Sequence, residues 1–165
     1  MAKFERVEEI DVLPDKVWQV LSVPSSWDEF LPDVADVQVG GEATTGAAFY
    51  YTAPGGKQGA AHVVKADANR YLEVLTEVEG HQTRHRFTLA PRMGGLLGLG
   101  GANGTRVDYV MEYTPPGGFI GAFVAGGNPV DLMKIKTALD KLEKVAESPD
   151  NINAGKTGQL PTLKS

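Results

Sequence analysis

The sequence predicts an α+β fold in which a strongly bent antiparallel sheet of about seven strands wraps on one long C-terminal helix. Three observations carry this. A strand pattern at the N-terminus is followed at once by two short helical segments. A long middle stretch then alternates strand-like runs with glycine turns too short for parallel crossovers. A single amphipathic helix closes the ordered part of the chain.

The elements follow in order. Phe4 to Val12 reads as the first strand. Pro14 suits a first helical turn, where its missing N–H costs nothing, and Asp15 favours the same end through the backbone dipole. Val17, Trp18 and Leu21 then fall at helical spacing and predict a buried stripe. Pro24-Ser25-Ser26 interrupts this helix and is expected to cap a second one carrying Trp27, Phe30 and Leu31. Both tryptophans read as core anchors.

From Val34 the period changes. Val34–Val39, Ala47–Ala53, Ala60–Ala66, Tyr71–Glu79, Gln82–Ala90 and Thr105–Tyr113 are strand-like, bounded by Gly40-Gly41, Pro54-Gly55-Gly56, Asp67-Ala68-Asn69, Gly80 and Pro115-Pro116-Gly117-Gly118. Turns this short join antiparallel neighbours. The last helix is expected from about Val130 to Glu147, with Leu132, Ile135, Leu139, Leu142 and Ala146 on its buried face. Beyond Ser148 the chain is polar and without period. Residues 1–147 are therefore expected to form one domain and 148–165 a disordered polar tail.

Composition narrows the function. The chain has 165 residues, 42% of them hydrophobic, with a net charge of −5. An acidic chain without a dense Lys/Arg cluster is a poor match to nucleic acid, where phosphate neutralisation supplies most of the affinity. No apolar run approaches the roughly 18 to 20 residues needed to cross a bilayer, and no secretory h-region is seen, so no stable membrane insertion is expected. Cysteine is absent, which removes disulfides and thiolate chemistry and fits a reducing, cytoplasmic setting.

Several motifs resemble the START-like (SRPBCC, helix-grip) superfamily, and within it the polyketide cyclase/dehydrase and lipid-transport branch. Ile10-Asp11-Val12-Leu13-Pro14-Asp15-Lys16-Val17-Trp18 is similar to that family's first strand and proline-started helix. Ser26-Trp27-Asp28-Glu29-Phe30-Leu31-Pro32 resembles its second helix. Lys65-Ala66-Asp67-Ala68-Asn69-Arg70-Tyr71-Leu72 resembles its turn between two central strands, and Ala138-Leu139-Asp140-Lys141-Leu142-Glu143 its closing helix. The likeness runs from about Lys3 to Glu147. It implies a cavity between sheet and helix, with Phe119 and Phe123 of the segment before the last helix along it. Two stretches depart from the pattern, the glycine-rich loop Pro91–Gly104 and Gly126-Gly127-Asn128-Pro129, and both are expected to flank the cavity mouth.

Strand alternation indicates which side chains line that cavity. With Arg106, Asp108 and Glu112 outward, Val107, Tyr109, Met111 and Tyr113 face in. With Arg84 and Arg86 outward, Thr83, His85, Phe87 and Leu89 face in. An outward Lys65 predicts His62, Val64 and Ala66 inside, and Leu72, Val74, Thr76 and Val78 complete the wall. An apolar lining with a few polar points is the usual make-up of a small-molecule pocket. The expected ligand contacts are thus His62, Val64, Thr76, Thr83, Phe87, Tyr109, Met111, Tyr113, Phe119 and Phe123.

Three readings follow. The first is binding of a small hydrophobic or aromatic molecule (a lipid, quinone or polyketide-like compound) as carrier or sensor. The second, implied by the resemblance, is a polyketide cyclase, aromatase or dehydratase, with His85 moving protons and Tyr109 polarising a ketone. Against it, no carboxylate is expected beside either inward histidine to orient it. The third is a protein-interaction module with an incidental cavity. No cofactor is expected. Gly94–Gly104 lacks G-x-x-x-x-G-K-[ST], and Asn103 stands where G-x-G-x-x-G from Gly98 needs its last glycine. That loop reads as a hairpin connection, or as a lid in which Met93, Leu96, Leu97 and Leu99 cover the pocket. No metal site is expected from His62, His81 and His85, which lack carboxylates at ligand spacing.

Overall fold

The computed structural model describes residues 2–38, 41–96, 99–113 and 129–147, with side chains from 132 onward in the last stretch. The expected contacts Phe119 and Phe123, the Gly126–Asn128 stretch, Leu97 and the polar tail lie outside the described residues.

The described elements match the predicted order. Strand β1 (Ala2–Ile10) leads into helix α1 (Pro14–Leu21), a 3-10 turn (Pro24–Ser26) and helix α2 (Trp27–Phe30). Six strands follow: β2 (Asp36–Val37), β3 (Ala48–Thr52), β4 (Gln58–Asp67), β5 (Tyr71–Val78), β6 (His81–Met93) and β7 (Ala102–Tyr113). Helix α3 (Pro129–Glu147) is the last described element. No helix among the described residues is long and apolar enough to cross a membrane.

The strands form one seven-stranded antiparallel sheet in the order β1-β7-β6-β5-β4-β3-β2. Each hairpin partner is a sequence neighbour except β1, which returns beside β7 while α1 and α2 carry the chain across to the opposite edge. The turn after β5 shows how locally this is written. Glu79 (φ 51°) and Gly80 (φ 81°) are both left-handed, the pattern of the two-residue hairpin turn whose twist suits the flanking strands.

The expected strand Val34–Val39 shrinks to two paired residues, Asp36 and Val37, at the sheet edge. Ser26 also acts differently from its predicted role. Its side chain makes no cap to α2 and instead donates back to the carbonyls of Val20 and Val23, 2.6 Å each, at the end of α1. Trp27 does the same, its indole Nε1 lying 3.0 Å from the Leu21 carbonyl oxygen. These bonds satisfy helix-end carbonyls that burial removes from water.

Helix α3 lies on the concave face and buries Ile135, Ala138, Leu139, Leu142 and Ala146. The predicted stripe is right except at its start, because Leu132 is 52% exposed. The core between helix and sheet is partly aromatic. Phe30 meets Phe87 edge-on (centroids 5.9 Å apart), and Phe87 stacks on Tyr109 at 4.2 Å. On the convex face, Glu73 pairs with Arg84 and Arg86 with Glu112.

Candidate functional site

Three neighbouring strands supply the polar centre of the concave face. Tyr109 of β7, His85 of β6 and Thr76 of β5 point inward, as their alternation predicts, and are buried. His85 Nδ1 lies 2.7 Å from the Tyr109 hydroxyl oxygen, and His85 Nε2 lies 3.2 Å from Thr76 Oγ1. Thr76 Oγ1 in turn is 3.3 Å from the Thr83 carbonyl oxygen, across the β5–β6 pair that sets these two residues opposite one another.

Both imidazole nitrogens are therefore engaged, at a residue only 1% exposed. Burial pushes the His85 pKa down to about 4, with the negative Asp33 pulling weakly the other way. His85 is thus a neutral imidazole near pH 7. Burial likewise pushes the Tyr109 hydroxyl well above its usual range, and Asp33 adds to that.

Above this layer opens a cleft of about 370 Å³. Its walls are Tyr51, Ala53, Val78, Met111 and Tyr113, with Thr76, Thr83 and His85 as polar points and Pro32 and Pro54 near the rim. The rim itself is charged. Lys134 of α3 bonds Asp33 at 3.1 Å, tying the α2–β2 loop to the last helix, and Lys57 bonds Glu79 at 2.7 Å, joining the β3–β4 turn to the β5–β6 turn. His81 stands beside them. An adjoining depression of about 360 Å³ shares Pro32, Asp33, Pro54 and Lys134 with the cleft and extends along α3 past Thr137 to Lys141.

Of the residues singled out in the sequence, Thr76, Thr83, His85, Met111 and Tyr113 come together on the cleft. Phe87 and Tyr109 lie one layer deeper, in the aromatic stack, and support the cleft rather than line it. His62 and Val64 are corrected: both are exposed. The β4–β5 register slips between Val63 and Lys65, so Val64 is a bulge residue. The outward Lys65 was placed correctly, but one extra residue in the strand reverses every facing before it. Ala61 and Val63 face the core instead.

The lid expectation for the Pro91–Gly104 loop is also corrected. Met93 pairs with Ala102 at the far end of the β6–β7 hairpin, while Thr83 pairs with Tyr113 at the cleft. Eight residues of strand separate Met93 from His85, about 26 Å at the usual rise. The exposed Met93, Leu96 and Leu99 thus sit remote from the cleft.

Sequence reasoning placed the Pro54–Lys57 turn at the rim but missed Tyr51, Asp33 and Lys134. The alternation of Ala48–Thr52, with Phe49 and Tyr51 buried and Tyr50 exposed, was sufficient to find Tyr51. Asp33 has no such signal, because it comes from a loop and is turned by a left-handed backbone (φ 61°).

Comparison with known proteins agrees with this geometry. The family described as polyketide cyclase/dehydrase and lipid transport matches residues 1–147. No curated protein matches the chain. Among solved structures, the protein MLL2253 from Mesorhizobium loti is similar at 18% identity and a TM-score of 0.63, covering 88% of this chain and 96% of its own. The protein BH1534 from Bacillus halodurans is similar at 15% identity and a TM-score of 0.65, covering 88% and 97%. The Aha1 dimer from Colwellia psychrerythraea is similar at 16% identity and a TM-score of 0.60, covering 90% and 98%. At these identities the likeness is one of fold.

Proposed function

Since the chain belongs to the polyketide cyclase/dehydrase and lipid-transport family, we propose that it binds a small hydrophobic or aromatic molecule in the cleft between sheet and α3, as a carrier or sensor. The observation that carries this reading is the cleft itself. About 370 Å³ lies within the size range of small-molecule sites, and apolar walls with a few placed polar groups are the make-up such sites share. Met111 and Tyr113 supply polarizable and aromatic surface, which suits a flat unsaturated ligand.

The enzyme alternative draws less support from the same residues. A general base must reach the proton it takes, yet the two nitrogens of His85 are held by Tyr109 and Thr76. Tyr109 is fully buried, and its hydroxyl faces His85 rather than the cleft.

The test is native mass spectrometry of the protein before and after organic extraction, beside the variant Met111→Trp, which fills the cleft. A compound of a few hundred daltons should accompany the wild type and be lost from the variant, with the thermal unfolding midpoint little changed. A compound retained equally by Met111→Trp would place it elsewhere on the protein and reject the cleft.

A further inference from the structure

Beyond His85, Thr76 and Tyr109, one more polar side chain faces the cleft from two strands further along the sheet. Tyr51 of β3 pairs with Gly59 of β4. A Cβ on Gly59 would stand 2.7 Å from Cε1 and Cε2 of the Tyr51 ring, so the ring lies directly over the glycine. Only a residue without a side chain leaves this space. Thr76, His85 and Tyr109 form a bonded ladder of hydroxyl and imidazole groups from β5 to β7, and Tyr51 of β3 stands beside it on the cleft wall. Thr76 and His85 of the ladder line the cleft together with Tyr51.

Satisfying every group at once assigns the protons. Among the described residues, Tyr109 has no acceptor besides His85, so its O–H donates to Nδ1. Nε2 then carries the hydrogen and donates to Thr76 Oγ1. The Thr76 O–H donates to the Thr83 carbonyl. Each of these protons is committed within the protein. The Tyr51 O–H is the one the ladder does not need. It is left for an acceptor in the cleft, and the packing over Gly59 fixes where the ring that carries it stands.

The rim limits what that acceptor can be. Lys57 and Lys134 are already bonded to Glu79 and Asp33, so an anionic ligand would have to displace a carboxylate to gain a cation. A neutral oxygen acceptor faces no such competition.

Resting on the cleft as a binding site, we propose that Tyr51 is the hydrogen-bond donor that selects the ligand, and that the ligand is a neutral aromatic or conjugated molecule presenting a carbonyl or phenolic oxygen. Gly59 positions the ring of this donor, and Thr76 and His85 are its polar neighbours on the cleft.

A matched pair of probes tests it: 9-fluorenone, which offers a carbonyl oxygen, and fluorene, which has nearly the same shape and offers none. Dissociation constants are measured for both on the wild type and on Tyr51→Phe, which removes only the hydroxyl. The ratio of the fluorene constant to the fluorenone constant should fall by roughly three- to tenfold in the variant, the worth of one neutral hydrogen bond. Fluorene affinity should stay within about twofold. The carbonyl stretch of bound fluorenone should lie low in the wild type and rise in Tyr51→Phe, a readout that general destabilisation would not move. An unchanged ratio and an unmoved band overturn the role of Tyr51 while leaving the cleft as a binding site. Failure of both probes to bind the wild type removes the cleft reading and this one with it.

Discussion

His85 Nδ1 and the Tyr109 hydroxyl lie 2.7 Å apart in a layer that solvent does not reach, and each is the other's partner there. The rings are also near-parallel, with centroids 6.0 Å apart, and Phe87 stacks on Tyr109 as well. A polar pair this deep is tolerated only because it is satisfied. The low dielectric that strengthens the bond makes either group costly when left alone.

Tyr109→Phe should therefore destabilise the protein by about 1–3 kcal/mol, because it strands Nδ1 in the core. His85→Leu should cost a comparable amount by stranding the Tyr109 hydroxyl. The double variant should be less destabilised than the sum of the two, by about 1–3 kcal/mol, since it removes both partners together. Urea denaturation of the four proteins measures this, and strict additivity would show that the pair is not coupled.

The same burial predicts an acid response. The His85 pKa is about 4 in the fold against 6.5 for the free side chain. Between these values the unfolded chain binds a proton that the folded chain refuses. The contribution to stability is complete above pH 6.5 and drains away as pH falls toward 4, by on the order of 3 kcal/mol in all. The groups around the ring soften this little. Tyr109 stays neutral, and Asp33 at the cleft mouth opposes the shift only weakly. Denaturation curves across this window should show wild type losing more stability than His85→Leu. Parallel losses would assign the acid sensitivity to carboxylates instead.

The fold was legible because packing obeys simple periods. The 2-residue alternation of β6 and β7 placed His85, Phe87, Tyr109 and Met111 inward correctly, and the glycine turns gave the hairpin order. Alternation failed on β4, where the bulge at Val64 breaks the count and turns His62 outward, since a bulge leaves no clear mark in a Val-Val-Lys run. The helical period overran at Leu132, which the 3-and-4 spacing assigns to the buried face and the fold leaves exposed. The site was harder still. Its rim is set by where Asp33, Lys57 and Lys134 converge from three separate parts of the chain, and such convergence is a property of the tertiary fold.

Helix α3 offers a direct comparison of two leucines that the sequence treats alike. Leu139 is buried at the sheet and Leu132 is half exposed. Leu139→Ala should cost about 2–5 kcal/mol through lost burial and the cavity left behind. Leu132→Ala should stay within about 0.5 kcal/mol of wild type. Thermal unfolding of both decides it, and equal losses would mean that the helix buries its first turn as the sequence pattern suggests.

Gly59 carries the last prediction, because its place is fixed by Tyr51 and not by a turn. A methyl group there would stand 2.7 Å from two ring carbons, well inside van der Waals contact, so the ring must move or the strands must part. Gly59→Ala should cost about 1–3 kcal/mol as overpacking, even though alanine is otherwise the better strand residue. The cause can be separated from a general intolerance of β4. In a Tyr51→Ala background the ring is gone, and the same Gly59→Ala change should become neutral or slightly stabilising, since it then only reduces the freedom of the unfolded chain. A double-mutant cycle by chemical denaturation gives the coupling directly. A Gly59→Ala penalty that persists without the Tyr51 ring would show that the glycine serves the strand backbone, and that the ring is not held by the space above it.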